Sequence, residues 1–299
     1  MNNRNIAIYL SVIGMLLILT VGIYVTAFLA QPESVIEEFN GQRALTDVET
    51  QVNFGSRTVG SIGHDRIVTW MGTELETAGW IVKIQEANVM GHPIQNIIAF
   101  RADEVPKIIL GAHYDTRMVA DNDPDPVNRS QPVPGANDGA SGVAVLLELA
   151  RTLPKEGPPV WLVFFDAEDN GRLQGWDWSL GSQAFVNSLE FSPESVVIVD
   201  MVGDSSLDIN MELNSNIELT NDIWDIAGEL GFEQFIMETR YSLLDDHTPF
   251  LRVGIPAVLI IDFNYPFWHT TADTVDKVSA DSLQAVGATL WTWISQYSE

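Results

Sequence analysis

The chain has 299 residues, 46% of them hydrophobic, enough for one large α/β domain or two small ones. Its 15 Lys and Arg against 41 Asp and Glu leave a formal net charge of -26, which argues against binding nucleic acid or an anionic membrane through a basic patch. Cysteine is absent, which excludes disulfides, thiolate ligands, a cysteine nucleophile and lipidation at cysteine; any metal must be held by His and carboxylates.

Residues Ile6 to Ala30 are apolar apart from Tyr, Ser, Thr and Gly, with Arg4 the one charge before them. As a helix at about 1.5 Å per residue, such a run spans a bilayer core of about 30 Å. The expected organisation is a transmembrane anchor over 1–30, a polar stalk over 31–43 and one folded domain over 44–299. With Arg4 held inside, the domain lies outside the cytoplasm of a single-pass membrane protein. Val25-Thr26-Ala27 offers the competing reading, a cleaved signal peptide and a secreted domain.

From Ala44 to Gly79 the pattern is helical: Val48 and Val52, then Ile67, Trp70, Met71 and Leu75, recur at three- and four-residue spacing. The Gly-, Ser- and Arg-rich segment Gly55 to Gly63 breaks it into two helices. Residues 80–87 and 94–101 read as paired strands, 107–112 as a buried run, and 114–134 as a long polar loop containing ADNDPDP. A helix is expected over 138–153, with further helices near 181–190, 217–230, 247–253 and 279–297. Residues 159–165 and 195–199 are the near-continuous apolar runs of a parallel sheet covered on both faces, and strands follow near 234–239 and 256–263. This alternation predicts a doubly wound α/β fold: a three-layer sandwich with a mixed, mostly parallel central sheet and helices on both faces.

Five segments carry chemistry: GAHYDTR (Gly111 to Arg117), PGANDGASG (Pro134 to Gly142), FFDAEDNG (Phe164 to Gly171), VVIVDMVG (Val196 to Gly203) and FWHTTADT (Phe267 to Thr274). In each, a hydrophobic run breaks onto His, Asp or Glu at the carboxyl end of a strand, where ligands of α/β sheets sit. His113 is a metal-ligand candidate, and Asp115, two residues on, can fix its ring tautomer. Asp138 is an ordinary helix cap or a ligand; Gly135 and Gly139 let the backbone approach and favour the ligand. Glu168 and Asp169 are adjacent, so one can bind metal while the other serves as general base. Asp200 and His269 complete a mixed His and carboxylate set that suits zinc. His64 and His92 read as surface loop residues, and His247 as a residue at a helix start beside the site.

These motifs resemble the zinc aminopeptidase and glutaminyl cyclase superfamily from about residue 44 onward, and the resemblance implies a single zinc-dependent catalytic domain over 44–299. In the aminopeptidase branch the resemblance implies two zinc ions: His113 and Asp200 on one, Asp169 and His269 on the other, Asp138 bridging and Glu168 as base. There, Asp245 or the acidic loop would bind the substrate's α-amine. The run HYDTRMVADNDPDP into GANDGASGVAVLLELAR is more similar to bacterial glutaminyl cyclases, as is the Glu-then-Asp order of Glu168 and Asp169. DDHTPFLRVGIP (Asp245 to Pro256) and Trp268 before His269 also resemble the cyclase pattern. So does the insert GWDWSLGS (Gly175 to Ser182), whose Trp176 or Trp178 would wall the pocket with Trp268. Cyclases place His or Asp in the strand after GIP, where this chain has Leu259 and, further on, Asp262.

The cyclase resemblance implies one zinc on Asp138, Asp169 and His269, Glu168 as proton carrier, and Asp200 and Asp245 as catalytic carboxylates beside the leaving amide. The substrate would be a peptide or protein N-terminus: a glutamine converted to pyroglutamate with release of ammonia, or, in the aminopeptidase alternative, a first residue removed by hydrolysis. A non-catalytic binding module would be expected to lose a ligand or the base, and none is lost.

Overall fold

The computed structural model describes residues 38–102 and 104–297. The expected anchor, its cleavage site and most of the stalk lie outside the described residues; among those described, no helix is long and apolar enough to cross a membrane.

Helix α1 (Gly41–Asn53) begins inside the segment read as stalk, because the Asn40 side chain accepts a hydrogen bond from the amide of Arg43 and caps it. Ser61 caps α2 (Ile62–Thr77) through the amide of His64. His64 is therefore not a surface loop residue: it is 3% exposed, and its Nε2 lies 2.8 Å from Asp166. Strands β1 (Ile81–Val89) and β2 (His92–Phe100) form an antiparallel hairpin whose two-residue turn, Met90-Gly91, has both φ angles positive at 54° and 90°. That conformation matches the right-handed twist of the flanking strands.

Four wholly or mostly buried strands follow: β3 (Ile108–His113), β4 (Val160–Phe165), β5 (Ser195–Asp200) and β8 (Ala257–Ile261). The six-stranded order is β1-β2-β4-β3-β5-β8, antiparallel across the first two pairings and parallel across the other three. Successive side chains alternate faces. Ile108, Leu110, Val197, Val199, Val258 and Ile260 join one core, and Ile109, Val163, Ile198, Leu259 and Ile261 the other. Burying each such aliphatic side chain contributes about 1.5–3 kcal/mol. Helices α1, α3 (Ala140–Thr152), α5 (Ile217–Glu229) and α7 (Ala280–Ser295) contribute to the first core, and α4 (Leu180–Asn187) and α6 (His247–Arg252) to the second. The result is the expected three-layer sandwich.

One element departs from the alternation. The strand expected at 234–239 forms as β7 (Phe235–Tyr241), but it pairs with β6 (Ile209–Glu212) in a separate two-stranded parallel sheet. The four-residue β6, without a strong local pattern, went unpredicted. Its last residue proves useful: buried Glu212 accepts hydrogen bonds from the amides of Asn214, Ser215 and Leu243, tethering the loop that carries Asp245.

Candidate metal and active site

The carboxyl ends of β3, β4 and β5 converge on one point. His113 and Asp200 are the last residues of β3 and β5. Glu168 and Asp169 lie three and four residues past β4, Asp138 lies just before α3, and His269 sits in the loop after β8. Two sets of three buried side chains could each hold a metal ion, His113–Asp138–Asp200 and Asp138–Asp169–His269, with the donor atoms of each set within 4.8 Å of one another. In the first, His113 Nε2 lies 3.1 Å from Asp200 Oδ1 and 3.2 Å from Asp138 Oδ1. In the second, His269 Nε2 lies 2.9 Å from Asp169 Oδ1 and 3.9 Å from Asp138 Oδ2.

The donor chemistry fits a cation. Asp138 Oδ2 and Asp169 Oδ2 are buried with no hydrogen-bond partner, a costly arrangement that a metal ion would relieve. Burial and the neighbouring Asp138 raise Asp169 to about 6. Asp138 also suffers burial, yet hydrogen bonding and attraction to His113 outweigh it and hold its carboxyl below the usual range.

Two buried aspartates build the frame. Asp115 accepts from the amides of Glu168 (2.9 Å) and Asp169 (3.3 Å), and its Oδ1 lies 3.4 Å from His113 Nδ1. Asp273 repeats the device on the Asp138 loop, accepting from the amides of Asn137 (2.9 Å) and Asp138 (3.1 Å) and from the Tyr265 hydroxyl (2.6 Å). Arg57, fully buried, donates to the carbonyls of Tyr114, Pro134 and Gly135 and clamps these two loops together. Gly139, at φ 90°, passes so close to β3 that an added Cβ would sit 2.8 Å from the carbonyl of Asp115.

Six described non-glycine residues have left-handed φ; Met90 is in the hairpin, while Ala167, Arg172, Ser179, Met201 and His269 all border the site. Such backbone costs about 1–3 kcal/mol per residue and persists where surrounding structure imposes it.

A cavity of about 250 Å³ opens over these groups, lined by Asp138, Glu168, Asp169, Asp200 and Asp245 and by Trp178, Trp268 and Phe263. Glu168 is held well above the usual carboxyl range by burial and by Asp245; Asp245 is raised likewise by burial, Asp200 and Asp246. Trp178 lies over His269, with ring centroids 6.1 Å apart, and Gly171 leaves room for its indole: a Cβ there would meet the ring at 2.0 Å. Trp176 is not part of the lining. It stacks on His92 at 3.5 Å, which also removes His92 from the role of a bare surface residue. His247 begins α6, fully buried and 3.3 Å from Glu212.

Asp262 is also absent from the lining: Ile261 and Phe263 face the cavity, while the Asp262 carboxylate accepts from the amides of Asp208 and Asn264. The acidic loop has a structural use rather than the amine-binding one. Asp121 takes two hydrogen bonds from Arg117, at 2.8 and 2.7 Å, and lies 3.4 Å from His269 Nδ1. Asp123 accepts from the amide and hydroxyl of Thr271. Both tie the loop to the segment that presents His269.

The sequence profile of peptidase family M28 matches residues 96–294, and the chain belongs to that family. Among solved structures it is similar to a glutaminyl cyclase of Tannerella forsythia, at 31% identity and TM-score 0.82, covering 88% of this chain and 100% of that one. A Zn-dependent exopeptidase of Parabacteroides distasonis is comparably similar, at 29% identity and TM-score 0.83, with 88% and 100% covered. A glutaminyl-peptide cyclotransferase-like protein of Bos taurus is 24% identical over 284 residues, 81% of this chain and 72% of that protein.

Proposed function

We propose that this protein is a zinc-dependent glutaminyl cyclase that converts the N-terminal glutamine of peptides to pyroglutamate. The observation that carries this reading is the inequality of the two candidate metal sets. Asp138 Oδ2 and Asp169 Oδ2, both without a hydrogen-bond partner, belong to the set with His269; the set of His113, Asp138 and Asp200 shares the first of these oxygens but adds no orphaned carboxylate oxygen of its own. One cation on Asp138, Asp169 and His269 would satisfy both of these oxygens. Bound there, zinc would supply Lewis-acid polarisation of the substrate's γ-carbonyl.

The chain's own residues do the rest. Glu168 accepts a proton from the α-amine as the amine nitrogen attacks the γ-carbonyl carbon; when the bond to the side-chain nitrogen breaks, Glu168 returns the proton and ammonia leaves. Its raised affinity for protons suits both halves of that exchange. Asp245 and Asp200, also raised, can donate a hydrogen bond to the departing amide. Trp178 and Trp268 give the cavity apolar walls, which suit a reaction that does not consume water.

Aminopeptidase activity is the second reading, supported by the completeness of the His113–Asp138–Asp200 set. The purified protein, given a Gln-led and a Leu-led peptide, is expected to remove one ammonia from the first and leave the second intact by mass spectrometry. Release of free leucine would replace the cyclase reading with the peptidase one.

We also propose that residues 6–30 anchor the domain outside the cytoplasm, on the support of their uncharged, mostly apolar character and of Arg4 before them. Extraction of the protein from membranes by alkaline carbonate would overturn the anchor.

A further inference from the structure

Arg172 is the only basic side chain lining a cavity that five carboxylates also line. Among the described residues it makes no hydrogen bond, ion pair or ring contact, in contrast to the nearby Arg117, which is spent on Asp121. Its side chain is exposed, so its guanidinium sits at the mouth rather than on the floor. Its position is imposed: Gly171 is pressed against the Trp178 indole, and Arg172 takes a left-handed φ of 64° to complete the turn. Leu244, also in the lining, stands 62% exposed.

At about 250 Å³ the cavity is smaller than the roughly 300–1,000 Å³ of sites that enclose a drug-sized ligand. It therefore encloses about one residue, and the next residue of a peptide must lie at the mouth. Resting on the reading that a peptide N-terminus occupies the cavity, we propose that Arg172 is a specificity-determining residue that recognises a carboxylate on the second residue of the substrate. That carboxylate is the α-carboxylate of a dipeptide or the side chain of Asp or Glu. A planar guanidinium matches a carboxylate bidentately, and Arg172 is the one cation in a lining whose carboxylates would otherwise repel such a group.

The test compares four peptides: Gln-Ala with a free carboxylate, Gln-Ala-amide, Gln-Glu-amide and Gln-Gln-amide. For an exposed pair the expected preference in kcat/KM is about two- to five-fold, weakening as salt is raised. Gln-Ala over Gln-Ala-amide reads the α-carboxylate; Gln-Glu-amide over Gln-Gln-amide reads the side chain. Arg172→Gly removes the guanidinium while keeping a residue that tolerates φ 64°, and it should abolish the preference; Arg172→Lys should retain part of it. Circular dichroism melting checks that the glycine variant is folded. The same ratios are measured as dissociation constants by calorimetry on Glu168→Gln, which keeps the cavity but not the base. If the cyclase reading fails and no ammonia is released, those constants still decide the proposal. Equal values for carboxylate and amide peptides, or a preference that survives in Arg172→Gly, would overturn it.

Discussion

The two metal-capable sets share Asp138 and are built from the same residue types, yet they differ in what the protein already supplies. His113 is enclosed by carboxylates on three sides: Asp200 at 3.1 Å, Asp138 at 3.2 Å and Asp115 at 3.4 Å. His269 reaches Asp169 at 2.9 Å but leaves an oxygen of Asp169 and one of Asp138 with nothing to bind. Of the two sets, only the second has an orphaned carboxylate oxygen on both of its aspartates. Ligand identity alone would have treated them as equals.

Three substitutions sharpen or break that contrast. His269→Ala should have the largest effect, removing the bound metal and lowering kcat/KM about 10³-fold or more, since a Lewis acid is worth several kcal/mol; elemental analysis beside kinetics reads both. Asp121→Asn comes next. It leaves His269 in place but removes the charge beside its Nδ1, and chelator competition should show metal binding about 10–100-fold weaker. His113→Ala should be the mildest, with metal per chain unchanged and kcat/KM within about tenfold. Loss of one of two ions in that variant, accompanied by collapse of activity, would establish the first set as a working metal site and favour the peptidase.

Much of this was legible because it is local. The apolar runs ending at His113, Phe165 and Asp200 are strands wherever they are buried, and the residues just beyond them must emerge at the same sheet edge. The adjacency of Glu168 and Asp169 likewise foretells two different directions for their side chains. What escaped was mostly non-local. Asp273 grips the amide of Asp138 across 135 positions of chain, and Arg57 reaches Gly135 across 78. Neither carries a spacing signal. Asp273 did stand in FWHTTADT, so the segment was visible while its task was not.

Other errors came from orientation. Trp176 and Trp178 lie two residues apart in one insert, and only folding sends the first onto His92 and the second over His269. The acidic loop offers charge suited to an amine, but Arg117 and Thr271 take it up first. Asp262 has the right chemistry on the wrong face, because Ile261 and Phe263 hold the alternate positions that face the cavity.

By itself, then, the sequence determined the layered α/β class, the strand ends, and the inventory of His and carboxylates, since hydrophobic periodicity and residue chemistry are properties of short segments. Tertiary structure decided which carboxylate oxygens are left unsatisfied, which tryptophan walls the cavity and which arginine stands free at its mouth. Those outcomes depend on pairings between distant segments, and only packing sets them.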